Sequence, residues 1–234
     1  MEKEITVKLN AKQIENANKL LQVYKQVCLH KNAKERDEEK IALLTIPYNE
    51  TKLGTGTMVE NLNYTNVARL RVVFTKKMES LTDAQIQEKY VKNPMVLANY
   101  IYGGRGENTA AGDGWKYIGR GLNQITFKEG YRKAQEAVLS EFGEVVDFVD
   151  HPELLENVDY AAKAFVAKAY KSGFTGARTL RDMKTIDGSG DITKMDSNEI
   201  HLINGSSKKP TILKAYNDAY KSILYAIKTG QIKL

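Results

Sequence analysis

Gly112-Asp113-Gly114-Trp115-Lys116-Tyr117-Ile118-Gly119-Arg120-Gly121-Leu122-Asn123-Gln124-Ile125-Thr126 sets four glycines, the only tryptophan of the chain, an arginine and a Gln-x-Thr in one short run. Glycine concentrates where a backbone must turn through positive φ or approach another group closely. An aromatic ring beside side-chain amides suits a sugar-facing wall, because the ring covers a pyranose face while the amides bond its hydroxyls. Gly103, Gly104 and Gly106 lie just upstream, so seven of the 17 glycines fall within 103–121. A phosphate-binding reading of Gly103-Gly104-Arg105-Gly106 fails, since no Gly-Lys-[Ser/Thr] follows it. Alternation over 115–118 and 122–126, across Gly119-Arg120-Gly121, predicts a small β-hairpin.

Outside this block the periodicity is helical. Ile14, Ala17, Leu21, Tyr24 and Cys28 recur at steps of three and four, which predicts an amphipathic helix over 11–29. Residues 34–50 read as a second helix, with a charged start and the apolar run from Ile41 to Ile46. Pro47 should end or kink it just before Glu50. Thr82 and Gln85 have capping-box spacing, and Asn93-Pro94 sets a proline at a first helical turn. Further helices are expected at 127–141, 159–172, 195–204 and 209–228. The last carries Ile212, Tyr216, Ala219, Ile223 and Ile227 on one stripe. Elsewhere strand signal is confined to the alternating Ile5-Thr6-Val7-Lys8-Leu9. The segment 173–192, with Gly173, Gly176, Gly188 and Gly190, reads as a mobile loop. No repeat or linker divides the chain, so a single, mainly α domain over 1–234 is expected.

At 234 residues, with 42% hydrophobic and 27% charged content, the chain has the composition of a water-soluble globular protein with a sizeable core. No apolar run approaches the length of a membrane span. The charged Met1-Glu2-Lys3-Glu4 start gives no secretory signal. Cys28, the one cysteine, lies on the apolar stripe of the first helix and reads as a buried structural thiol. With no disulfide and no signal, folding in a reducing cytoplasm is expected. His30, His151 and His201 stand far apart, so neither a zinc site nor any other metal or cofactor is expected. The net charge of +6 is uneven: Lys208, Lys209, Lys214, Lys221, Lys228 and Lys233 share the last segment with one acid, Asp218. That end reads either as a solvated helix face or as an attraction to polyanions such as an anionic cell wall. No nucleic-acid-binding motif accompanies it, and no nucleic acid is expected as a partner.

Two carboxylates can carry chemistry. Glu50 stands in Tyr48-Asn49-Glu50-Thr51, and Glu60 opens Glu60-Asn61-Leu62-Asn63-Tyr64. Cleavage of a glycosidic bond needs one carboxylic acid to protonate the leaving oxygen and a second carboxylate to attack or to activate water. Glu50 ends an apolar helix, where desolvation favours a protonated acid. Glu60 follows Gly54-Thr55-Gly56-Thr57, where solvent would leave it ionised. Downstream come His151-Pro152-Glu153-Leu154-Leu155 and Leu202-Ile203-Asn204-Gly205.

In this order the motifs resemble those of glycoside hydrolase family 19, the chitinase-like group that includes many phage endolysins. There a helix ends in His-Glu-[Ser/Thr], Glu-Asn-Leu-x-Tyr follows, and the glycine-rich block reads GDG-x-x-Y-x-G-R-G-L-x-Q-[IL]-[ST]. The resemblance covers about 40–220. It implies a lysozyme-like, mainly α domain with a substrate cleft and a small β-hairpin, with helices 11–29 and 209–228 packed on it. It implies Glu50 as general acid, Glu60 as general base for water, and Thr126 as a holder of that water. Gln124 and Asn204 would contact sugar, Asn204 through an N-acetyl group. Tyr64 and Trp115 would wall the cleft, the alternative for Trp115 being a core anchor. Arg120 would pin the block to an acid. Family members invert the anomeric centre, which needs the two carboxyls roughly 6.5–9.5 Å apart.

Four departures stand out. Asn49 replaces the usual histidine, Lys52 and Leu53 replace a glycine pair, Ser206 replaces the second glycine of Ile-Asn-Gly-Gly, and Lys208, Lys209 or Lys214 stands for the arginine that often follows. The expected substrate is peptidoglycan, with chitin as the other substrate of the fold, cut by a monomer that a holin or a phage particle delivers to the wall. The alternatives are a lytic transglycosylase, which needs one Glu, and a non-catalytic wall-binding or tail protein.

Overall fold

Helical periodicity dominates the chain, and helices dominate the molecule. The computed structural model describes residues 7–174, 178–205 and 209–234. In chain order these form α1 (Ala11–His30), α2 (Asp37–Thr51), α3 (Val67–Val73), α4 (Thr75–Met78), α5 (Asp83–Lys89), α6 (Pro94–Tyr102) and α7 (Asp113–Lys116). Beyond the glycine-rich block follow α8 (Lys128–Phe142), α9 (Val158–Lys171), α10 (Ser197–Asn204) and α11 (Pro210–Lys228). The mainly helical, lysozyme-like architecture expected from the sequence is the one observed. The helices expected from periodicity and capping are all present, including the reciprocal Thr82–Gln85 capping box. The helical segments α3, α4 and α7 were not foreseen.

The apolar run of α2 is buried on every side from Ile41 to Tyr48. A helix without a polar face needs neighbours all round. It finds them in α1, α10 and α11. Each fully buried Leu or Ile there stabilises by about 1.5–3 kcal/mol. Contrary to the expected break, α2 continues through Pro47 to Thr51. The proline lies near the helix end, and its own carbonyl accepts from Leu53 N–H at 3.0 Å and Thr51 Oγ1 at 3.2 Å. The helix instead stops on two left-handed residues, Lys52 (φ 51) and Leu53 (φ 57), where the family pattern has glycines. The buried Asn16 amide holds the Leu53 carbonyl at 2.7 Å.

Three apolar clusters fill the interior. The largest joins α1, α2, α10 and α11 with part of α9 and contains Cys28, buried as expected. A second lies between α8 and α9, around Tyr117, Tyr131 and Phe148. The third belongs to α3–α6, around Leu70, Met78, Ile86 and Leu97. The glycine-rich block runs between them: Tyr117 and Ile125 belong to the second cluster and Ile118 to the third. Gly114 allows α7 to press on α6, since a Cβ there would lie 2.6 Å from the Asn99 Cα.

The expected β-hairpin is reduced to a pivot on one residue. Trp115 lies in α7, not in a strand, and its N–H donates to Asn99 Oδ1 at 2.9 Å. Arg120 forms isolated antiparallel bridges to both Val59 and Ile125. Val7–Lys8–Leu9 adopts no strand either. Leu9 N–H instead donates to Gln231 Oε1 at 2.8 Å, while Ile5 and Thr6 lie outside the described residues. The segment expected to be a mobile loop is anchored over 180–185, while 186–191, with Gly188 and Gly190, are exposed. Leu180 and Met183 are buried, and Arg181 reaches the fully buried Glu39 at 2.7 Å. Tyr24 (2.6 Å) and Arg36 (3.1 Å) complete the ring of donors around that carboxylate. Gly176, Ser206 and Lys208 lie outside the described residues.

Candidate active site

Glu50 is the penultimate residue of α2 and is exposed, so the burial expected at the end of an apolar helix is absent. What the fold provides is a set of donors. Oε1 of Glu50 accepts from Tyr216 Oη at 2.6 Å, Asn49 Nδ2 at 3.0 Å and Asn204 Nδ2 at 3.3 Å. Asn204, the last residue of α10, also donates to Tyr216 Oη at 2.7 Å. Three helices therefore meet at one carboxylate oxygen. Asn49, the departure from the family's histidine, is one of its donors. Burial, with the Glu50 charge second, pushes the Tyr216 hydroxyl far above the ordinary tyrosine value, so it stays a donor.

Glu60 is half-buried, not solvent-facing as expected, and both its oxygens are engaged. Oε1 accepts from Tyr102 Oη at 2.6 Å and Oε2 from Gly119 N–H at 3.2 Å. Glu60 N–H in turn donates to the Gly119 carbonyl at 2.8 Å, which locks its backbone to the block. The Tyr102 hydroxyl is likewise pushed far up, by burial first and by its bond to Glu60 second.

Gly119 is the point where the block meets this carboxylate. A Cβ there would stand 3.0 Å from Gln124 Oε1, 3.4 Å from Glu60 Cβ and 3.4 Å from Thr126 Oγ1. Gln124 itself sits at φ 53, a left-handed conformation, and its amide donates to the Gly121 carbonyl at 3.1 Å. Thr126 Oγ1 donates to the Gln124 carbonyl at 3.0 Å. Gln124, Thr126 and Asn204 line one groove of about 260 Å³. Asn204 thus touches Glu50 with its amide and borders the groove that holds Gln124 and Thr126, whose neighbour across Gly119 is Glu60.

The remaining sequence-derived residues divide. Tyr64 is half-buried edge-on to Phe74, with ring centroids 5.5 Å apart, and the Glu60 charge adds to burial in pushing its hydroxyl up. Trp115 packs half-buried against the α3–α6 cluster, the core-anchor alternative, and does not border the groove. Arg120 pins the block as expected: Nε donates to Glu156 at 3.0 Å, and Nη1 to the Lys116 carbonyl at 2.7 Å and Tyr131 Oη at 3.0 Å. Tyr102 was missed altogether, and Tyr216 was read only as part of an apolar stripe. A tyrosine with a buried ring and a bonded hydroxyl looks, in sequence, like any other stripe residue. Among the described residues no cluster of three or more His, Cys, Asp or Glu side chains could hold a metal ion.

Comparison with known proteins finds a likeness over part of the chain. It is 45% identical over 74 residues to a glycosyl hydrolase family 19 domain-containing protein of Haemophilus influenzae. The match covers 31% of this chain and 35% of that protein, so it spans about a third of either. No family model matches the chain.

Proposed function

We propose that the protein is a glycoside hydrolase that cuts β-1,4 bonds between the amino sugars of peptidoglycan by an inverting, two-carboxylate mechanism. The observation that carries this reading is that Gln124, Thr126 and Asn204 line one groove whose two flanks meet the carboxylates, Asn204 through its bond to Glu50 and Gln124 and Thr126 across Gly119 from Glu60. The partial likeness to a family 19 domain supports the reaction class.

The geometry suits a division of labour. With Oε1 of Glu50 occupied by three donors, the proton of its acid form resides on Oε2, from which it passes to the glycosidic oxygen as the bond breaks. Glu60 takes a proton from the attacking water, while Tyr102 and Gly119 fix the direction of its two oxygens. The Thr126 hydroxyl has lone pairs left to orient that water, and Gln124 shapes the groove beside it. Attack from the face opposite the leaving group inverts the anomeric centre. Exchange with solvent then restores both carboxyls. The motif order resembles that of phage endolysins, so the proposed setting is lysis or entry by a phage, with a holin or a virion delivering the enzyme to the wall.

Digestion of purified peptidoglycan followed by mass spectrometry tests this. Reducing-end N-acetylmuramic acid or N-acetylglucosamine is expected from the wild type, with losses of about 10²–10⁴-fold in Glu50→Gln and Glu60→Gln. A 1,6-anhydro product with activity retained in Glu60→Gln would assign a lytic transglycosylase. Absence of any product from the wild type would leave a wall-binding protein.

A further inference from the structure

The groove bordered by Gln124, Thr126 and Asn204 is also lined by Lys133 of α8 and Lys168 of α9, together with Glu129 in the first turn of α8. The two lysines are not equivalent. Lys133 pairs with Glu129 one helical turn away. Lys168 is half-buried, and among the described residues no carboxylate lies within ion-pair distance of it. Its ammonium instead stands 5.9 Å from the Phe174 ring centroid, on the groove wall. Burial, and then the nearby Lys133 charge, lower its pKa from the ordinary lysine value; Glu129 and Glu136 oppose this from a distance, each being paired with another cation, Lys133 and Arg132. A cation withdrawn from water without a protein counter-ion is costly to keep, and an anionic ligand offsets that cost. A neutral chain of N-acetylglucosamine offers no such group. A muramic acid strand does, on its lactyl ether or on the peptide joined to it.

We propose that Lys168, assisted by Lys133, forms a subsite for a carboxylate carried on the glycan, so that the groove selects acidic muramyl strands over neutral ones. This rests on the reading of the groove as a glycan site. It adds the residues that set the choice of strand. Neither Glu50 nor Glu60 lines this groove, so the expected effect is on binding and not on the bond-breaking step.

Titration calorimetry on the full chain tests it, in a Glu50→Gln background so that the strands survive. Three probes are compared: an N-acetylglucosamine tetramer, a soluble muramyl tetrasaccharide with stem peptides, and the same tetrasaccharide stripped to its lactyl carboxylates. At low salt, one or both acidic probes should bind about tenfold tighter than the neutral one, the scale of one partly desolvated charge pair. Tighter binding of the stripped probe identifies the lactyl group, and of the intact probe alone the peptide. The ratio should collapse toward one in Lys133→Gln/Lys168→Gln and persist in Lys168→Arg, with circular dichroism confirming the fold. Should the double variant unfold, Lys168→Met and the loss of the ratio at high salt in the parent give the same readout. Equal binding of all three probes, or a ratio that survives loss of both lysines, overturns the subsite. Lack of turnover by the wild type with the ratio intact overturns the hydrolase reading and leaves the subsite standing.

Discussion

The hydroxyl of Tyr216 donates a 2.6 Å hydrogen bond to Oε1 of Glu50 across 166 residues of chain. Asn204 bonds both partners, so α2, α10 and α11 converge on one oxygen of the candidate acid. Orientation of this kind costs little stability when lost and much rate, because a proton donor must point at the oxygen it protonates.

Tyr216→Phe removes that donor while leaving the ring in its packing with His201, 4.6 Å away between centroids. Hydrogen bonds to charged groups contribute about 1.5–3 kcal/mol, so kcat on peptidoglycan should fall about 10–100-fold with KM little changed. Wild-type kcat in a folded Tyr216→Phe protein would remove the tyrosine from the positioning of Glu50.

Gly119→Ala is predicted to disturb the candidate site more than the fold. The new Cβ would crowd Gln124 Oε1 at 3.0 Å and come into contact with Glu60 Cβ and Thr126 Oγ1 at 3.4 Å. A shift of a few tenths of an ångström at Gln124, passed to its neighbours, should lower kcat by about tenfold, as small misplacements near reacting groups do. Steady-state kinetics beside a thermal melt separates this from unfolding. Loss of stability in proportion to loss of rate would argue against a local effect.

Lys52→Gly restores the residue type that a left-handed backbone prefers. Lys52 is exposed at φ 51, with its ammonium 4.8 Å from the Tyr48 ring centroid. Relief of the Cβ clash, about 1–2 kcal/mol, outweighs the entropy that glycine adds to the unfolded chain. A net gain of about 0.5 kcal/mol in urea unfolding is expected. A lower midpoint would mean that the lysine's contact with Tyr48 outweighs the strain.

Alkaline pH should destabilise the fold early. Tyr24, Tyr102, Tyr131 and Tyr216 all have hydroxyls pushed up, in each case by burial first. A folded-state value raised above the unfolded one contributes stability that is complete below the unfolded value, about pH 10, and is lost as pH rises beyond it. Urea midpoints should therefore hold to about pH 10 and then decline. A flat profile above that point, with tyrosinate absorbance already present in the native protein, contradicts the assignment of these four as buried donors.

Most of the helical framework was legible because its signals are local. Thr82 caps as its spacing to Gln85 requires, and the stripe of α1 faces the core through Ala17, Tyr24 and Cys28. Pro47 misled because a proline near a helix end forfeits little, and the packing around Tyr48 and Thr51 holds the last turn. Trp115 misled because alternation over so few residues does not separate a strand from a helical turn begun at Gly112. Tyr102 and Tyr216 gave no signal, since their role depends on which distant carboxylate their hydroxyls meet.

What the sequence determined by itself was the set of local propensities and the order of the motifs: an apolar helix ending at Glu50, a second glutamate ten positions on, and a glycine-rich block. The reason is that capping, periodicity and turn chemistry act over a few residues. Only the tertiary structure decided that Glu50 is held by Tyr216 and Asn204, Glu60 by Tyr102 and Gly119, and that Lys168 borders the groove of Gln124, Thr126 and Asn204 with no carboxylate among the described residues in ion-pair distance. Those relations arise when α2, α10, α11 and the block are packed together, because burial sets which polar groups must find one another once water is excluded.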